Sequence, residues 1–171
     1  IDSSGLGNHG TLLNGITFSG CTVTGKVGNA LDFDGTNDYI DMGNDSSLLL
    51  GNETDPLSML VWVYTRSVAS NEGPIWLETR YYVETDHISS SGGGVWGRPS
   101  GFSLSLNQWE HIAITWDGVD TVKAYKNGVQ VSSGTGASSA SGTSSLIIGD
   151  RLISGAYFDG LIDEAVSYTH L

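Results

Sequence analysis

The sequence predicts an all-β protein built as a sandwich of two antiparallel sheets, and three observations carry that prediction. The stretch Gln108–Val131 reads as three strands and two turns. Ile112, Ile114 and Trp116 alternate with His111, Ala113 and Thr115, the period-two pattern of a strand with one face in a core. Thr121–Tyr125 and Val129–Val131 follow across Asp117-Gly118-Val119-Asp120 and Asn127-Gly128. Asn-Gly is the strongest short hairpin signal, because a type I′ turn needs positive φ at both central residues. Second, no stretch repeats apolar residues at the 3.6-residue period of a helix. Third, 24 glycines among many Ser, Thr and Asn imply frequent tight turns. A chain of 171 residues suits one domain with a single core.

The other elements fall in order. Asp2–Gly10 is a polar, glycine-punctuated loop that leads into strands at Thr11–Leu13 and Ile16–Phe18. Ala30–Asp34 alternates, turns at Gly35-Thr36-Asn37 and returns through Asp38–Met42 as a hairpin. Asp32, Asp34, Asp38 and Asp41 are placed on its solvated side, since Gly35 follows directly on the second Asp and the EF-hand spacing is missing. Leu57–Tyr64, after Pro56, is apolar on both faces beyond Ser58 and reads as a central strand. If Met59, Val61 and Val63 enter the core, Leu60, Trp62 and Tyr64 share the second face. Trp62 is either packed beneath loops or part of a binding platform.

Between Ala69 and Leu106 the pattern is least regular. Pro74–Leu77 and Tyr81–Val83 are expected to pair across a short turn, with Gly92-Gly93-Gly94 as a loop tip. Ser132–Ser144 holds only Gly, Ser, Thr and Ala, and reads as a connection or a weak edge strand. Leu146–Gly149 and Phe158–Val166 supply the last two strands. Roughly ten to thirteen short strands make a two-sheet sandwich the economical arrangement.

Seven basic and nineteen acidic residues leave a formal charge of −12. Nucleic acid and anionic membrane surfaces are therefore poor partners, because phosphate contacts supply most nucleic-acid affinity. Membrane insertion is not expected, since no run of 18 apolar residues occurs. The acidic excess suits divalent cations, which take oxygen ligands, or serves solubility alone. Cys21 is the single cysteine, which excludes an intrachain disulfide and a cysteine-based zinc site. The chain opens at Ile1 without a signal peptide and reads as a piece of something longer.

Trp76, Tyr81, Tyr82 and Trp96 stand among the glycines and serines of the irregular segment. A sugar-binding edge has this composition, since pyranose C–H faces stack on aromatic rings; so does a loop anchored by its own aromatics. These four are the candidate ligand contacts, with Trp62, His111 and Tyr125 as further candidates on the sheet face.

The ordered set Asp2-x-Ser4-Gly5-x-Gly7-Asn8-His9-Gly10, Ala30-x-x-Phe33-Asp34-Gly35-x-x-Asp38-Tyr39-Ile40, Trp62-Val63, Trp109-x-His111-Ile112-Ala113, Tyr125-x-Asn127-Gly128, Ile148-Gly149 and Phe158-x-Gly160-x-Ile162-Asp163-Glu164 resembles the laminin-G-like, concanavalin A-like jelly-roll domains of large secreted microbial proteins. The resemblance covers nearly the whole chain. It implies a single jelly-roll domain over residues 1–171, secreted or at the cell surface, that binds a glycan or another cell-surface ligand as a carbohydrate-binding or adhesion module. The fold also hosts glycoside hydrolases, lyases and spacers. Hydrolases of this fold carry a Glu-x-Asp-x-x-Glu string that positions two carboxyls; it is absent, with Glu78-Thr79-Arg80 and Glu84-Thr85-Asp86 the nearest approaches. No Gly-x-Ser-x-Gly elbow supports a triad from His87, His111 and the serines. A non-catalytic module is the expectation.

Two further expectations come from the resemblance. Such domains begin one strand earlier, which leaves the Phe158–Val166 strand with an open edge and a route to dimerisation. They also commonly hold a structural Ca²⁺ between the Asp-x-Ser-Gly loop and the last strand, a role that falls on Asp2, Asn8 and Asp163. Ca²⁺ takes oxygen donors of this kind, with Asp117 and Asp120 as a fallback site. The alternative is that Asp2 and Asn8 cap turns while Asp163 accepts backbone hydrogen bonds.

Overall fold

The computed structural model describes residues 5–17, 22–45, 47–48, 56–69, 72–77, 81–85, 88–90, 102–135, 145–152 and 156–169. Within them run thirteen strands and no helix: β1 (Thr11–Leu13), β2 (Thr22–Thr24), β3 (Asn29–Asp34), β4 (Tyr39–Asp41), β5 (Leu57–Thr65), β6 (Ile75–Leu77), β7 (Tyr81–Val83), β8 (Ile88–Ser90), β9 (Trp109–Trp116), β10 (Val122–Lys126), β11 (Val129–Gly134), β12 (Leu146–Ile148) and β13 (Asp159–Thr169). They form two antiparallel sheets. The smaller has the order β1-β4-β12-β6-β7-β8 and the larger β11-β10-β9-β5-β13-β3-β2. Among the described residues no helix is long and apolar enough to cross a membrane.

Alternation decides which side chains meet between the sheets. Met59, Val61 and Val63 of β5, Ile112 and Ile114 of β9, Phe33 of β3 and Ile162 of β13 are buried in one cluster with Ile40, Ile75, Val83 and Ile148 of the smaller sheet. Each such side chain contributes about 1.5–3 kcal/mol by leaving water. The long central strands run as expected: β9, β10 and β11 form a meander, with Asn127 and Gly128 at φ 52° and 80° in the turn between the last two. Ile75–Leu77 pairs with Tyr81–Val83 as the sequence suggests.

Three expectations need correction. Ala30–Asp34 and Asp38–Met42 are not a hairpin, because β3 belongs to the larger sheet and β4 to the smaller. Phe33 and Ile40 both face the core, one from each sheet. Asp38, placed on the solvated side, is instead buried at this corner, where it accepts the Asp34 N–H at 3.3 Å; burial pushes its carboxyl above the ordinary range. Nor does the last strand begin as an open edge: over Asp159–Ile162, β13 lies between β5 and β3. The end strands of the sheets are β11 and β2, and β1 and β8, so of the edge expected at Phe158–Val166 the part over Asp159–Ile162 is closed by β3 and has no free ladder for dimerisation.

Candidate functional site

The outward face of the larger sheet carries a band of half-buried rings. Because residues paired across an antiparallel ladder share a face, register fixes its rows. Trp62 stands opposite His111 and Tyr64 opposite Trp109, while Tyr125 stands opposite Ala113 on the next strand out. Trp62 and His111 have ring centroids 5.1 Å apart, and Tyr64 meets Trp109 edge to face at 5.8 Å. All five side chains are partly exposed. Leu60 and Ala113, paired in the following row, are smaller, so the floor drops between Trp62 and His111 on one side and Tyr125 on another.

One end of this band is built by residues far apart in the chain. Asp163 lies opposite Trp62 on β13, and its Oδ2 accepts the backbone N–H groups of Lys26 and Val27 at 2.7 and 2.9 Å. A Cβ at Gly25 would stand 2.5 Å from that oxygen, so only glycine lets the turn between β2 and β3 fold down onto the carboxylate. The clamp sets the Lys26 ammonium 4.9 Å from the centre of the Trp62 ring, a cation–π distance. At the other side, Asn127 fixes His111: its Oδ1 accepts the His111 N–H at 2.8 Å, and its own N–H donates to the His111 carbonyl at 2.7 Å.

Trp76 and Tyr82, expected as exposed ligand contacts, are buried. They stack at 4.3 Å with Ile147 beneath the outward face of the smaller sheet, only 7% and 1% exposed. The Arg151 guanidinium lies 4.7 Å from the Trp76 ring and 5.8 Å from Tyr82. Its Nη1 is 2.8 Å from Oε1 of the fully buried Glu84. These rings anchor structure and offer no face to a sugar. Trp96 and the Tyr81 side chain lie outside the described residues, as do Glu78, Asp86 and His87.

Of the residues assigned to calcium, Asp2 lies outside the described residues. Asn8 donates from Nδ2 to Ser47 Oγ at 2.8 Å, and Asp163 is the clamp just described. Among the described residues no group of three or more His, Cys, Asp or Glu is arranged to hold a metal. Asp117 caps a turn, its Oδ1 accepting the N–H groups of Val119, Asp120 and Thr121. Those bonds hold its carboxyl down at about 2.

Trp62, His111 and Tyr125 come together as the sequence suggested, and the reading missed Trp109, Tyr64 and Lys26 as members of the site. Trp109 was within reach, since it stands in phase with His111 on an alternating strand. Lys26 left no local signal, because its partner Asp163 is 137 residues away in sequence.

The chain belongs to the concanavalin A-like lectin and glucanase superfamily, whose laminin-G-type family model matches residues 34–171. Among curated proteins, no sequence matches it. Among solved structures it is similar to domain 4 of AbnA, a GH43 extracellular arabinanase of Geobacillus stearothermophilus, in complex with arabinotriose. That match has 22% identity and a TM-score of 0.73, and covers 94% of this chain and 82% of that one. The binding domain of Paraclostridial Mosquitocidal Protein 1 matches at 13% identity and a TM-score of 0.65, over 96% of this chain and 45% of that one. The receptor-binding domain of botulinum neurotoxin mosaic serotype C/D matches at 13% and 0.63, over 94% and 42%. The chain thus spans most of the arabinanase domain and under half of the two toxin domains. At these identities the likeness establishes the fold.

Proposed function

We propose that this domain is a non-catalytic carbohydrate-binding module of an extracellular protein and that its ligand lies across the outward face of the larger sheet. The observation that carries this reading is the row of partly exposed rings, Trp62, Tyr64, Trp109, His111 and Tyr125, on rigid central strands. Aromatic side chains present large contact area with few rotatable bonds, and strands hold them in place better than loops do. Two of the neighbours above support the reading by kind, one solved with a bound oligosaccharide and one named for receptor binding.

The absence of hydrolysis is part of the proposal. Glu84 is wholly buried against Arg151. Glu110 is buried too, and is held by Lys126 at 2.7 Å and by the Ser105 N–H at 2.8 Å. Neither carboxylate faces a position that a glycosidic bond can reach, and both roles of such a hydrolase need an accessible carboxyl. A glycan array on the domain, with a reducing-sugar assay on each hit, tests both halves. Binding lost in Trp62→Ala and in Trp109→Ala, with no sugar released, is the expected result. Turnover abolished by Glu84→Gln identifies an enzyme instead, and an array without hits leaves a spacer.

Calcium at Asp2, Asn8 and Asp163 is a separate proposal supported by the oxygen donors of that set. If Asp163 ligates the ion, EDTA lowers the melting temperature of the parent but not of Asp163→Ala. If it serves only the clamp, EDTA leaves the parent unchanged.

A further inference from the structure

Seven Lys and Arg residues serve a chain with nineteen carboxylates, so a cation without a carboxylate beside it is unexpected. Five of the seven lie among the described residues. Arg66 is paired with Asp32 and Asp159, Lys126 with Glu110, and Arg151 with Glu84. The other two, Lys26 and Lys123, are exposed and pair with no carboxylate among the described residues. Both stand on the aromatic face. Lys26 is set over Trp62 by the Asp163 clamp, and Lys123 lies opposite Thr115, in phase with Tyr125 and His111.

From this placement we infer that the face takes an acidic oligosaccharide, one carrying uronate carboxylates or sulfate esters. The inference rests on the carbohydrate-binding reading above and names the ligand class for it. Lys123 is two strands and four residues from Trp62 in the ladder, which places the two positions about 16 Å apart at ordinary strand spacing and rise. That is the span of a short oligosaccharide lying diagonally over Ala113 and Leu60, with a cation at each end and the rings of Tyr125 and His111 along one flank.

The carboxylates nearby do not cancel the pair. Asp163 is satisfied by two backbone amides and Asp32 by Arg66. Glu164 is exposed in the bulge that follows Asp163, where water screens it. Asp117 and Asp120 stand in the exposed turn that leads into Lys123; Asp117 is engaged by the Val119, Asp120 and Thr121 amides and Asp120 by the Thr121 hydroxyl, and neither forms an ion pair with Lys123.

The test is calorimetric titration of the domain with matched oligosaccharides that differ only in charge: uronates against their methyl esters, and sulfated against desulfated chains. The charged member of at least one pair is expected to bind about tenfold tighter, as a charge-assisted hydrogen bond provides. The preference shrinks as salt rises, and it falls in Lys26→Met and in Lys123→Met, which keep most of the apolar stem. Whichever pair shows it identifies carboxylate or sulfate. Equal or tighter binding of every neutral member overturns the inference, and so does a preference that survives in the double variant. If neutral sugars bind and Trp62→Ala abolishes that binding, the carbohydrate-binding reading stands without this inference. If no oligosaccharide binds, both fall.

Discussion

The two sheets both carry aromatic side chains on their outward faces and treat them in opposite ways. On the smaller sheet, Trp76 and Tyr82 are stacked and covered, and the guanidinium of Arg151 lies over their rings. On the larger sheet, Trp62, Tyr64 and Trp109 remain partly in water. Strand length accounts for much of the difference. Both covered rings sit on three-residue strands, within reach of the segment after β12 that brings Arg151, while β5 and β9 have nine and eight residues. Trp62 lies inside β5, away from the loops at either end, whereas Tyr64 and Trp109 stand at the ends of β5 and β9 and pack edge to face on each other. A tryptophan in this fold is therefore an anchor or a platform according to how close a loop comes.

The largest effect that would break this comparison is expected at Arg151. Removing it takes the Arg151 ion pair from the buried Glu84 carboxylate, so Arg151→Met should cost up to about 3–5 kcal/mol of stability in denaturant titration. The double variant Glu84→Gln/Arg151→Met should recover a good part of that, because it also removes the buried charge. A small loss in the single variant would mean that Arg151 is not what holds this cover in place.

Next in size is the contrast between two tryptophans. Trp76→Ala opens a cavity under a covered face and should cost about 3–5 kcal/mol, with sugar affinity of the folded fraction unchanged. Trp62→Ala should cost less than half as much and abolish binding. Equal stability losses from the two would erase the distinction between anchor and platform.

Tyr125 sharpens the picture at the rim of the platform. Tyr125→Ala should weaken oligosaccharide binding by about 1 kcal/mol and leave the melting temperature nearly unchanged, as expected for a ring that touches ligand more than core. Unaltered affinity would shift the site toward Tyr64 and Trp109.

The smallest effect lies away from both faces and serves as a control. Asp117 is exposed, yet its carboxyl is held at about 2 instead of its ordinary 3.8 by the Thr121 and Val119 amides. A depressed carboxylate stabilises the fold above pH 3.8, and that contribution is lost as pH falls toward 2. Asp117→Asn should therefore flatten the acid limb of the stability curve in that window and leave binding near neutral pH as it was.

How much of this was legible beforehand depends on the range of the interactions involved. Period-two alternation along Trp109–Trp116 settled which side chains enter the core, because a strand offers only two faces and water discriminates between them; along Leu57–Tyr64, apolar on both faces, it settled only which side chains share a face. Asn127-Gly128 settled its hairpin for an equally local reason, the positive φ that both residues tolerate. The same kind of reading placed Trp62 and Tyr64 together on the second face.

What only the tertiary structure decided turns on partners distant in sequence. Asp34 and Asp38 look like the two sides of a hairpin until the two sheets claim β3 and β4 separately. Trp76 and Tyr82 have the local composition of a binding loop, and Arg151 and Glu84 are what turn them into an anchor. Lys26 is an unremarked residue in a glycine turn until Asp163 draws that turn across Trp62. Pattern along the chain records which way a side chain points. Only the assembled sheets record what lies over it, because the covering group comes from elsewhere in the chain.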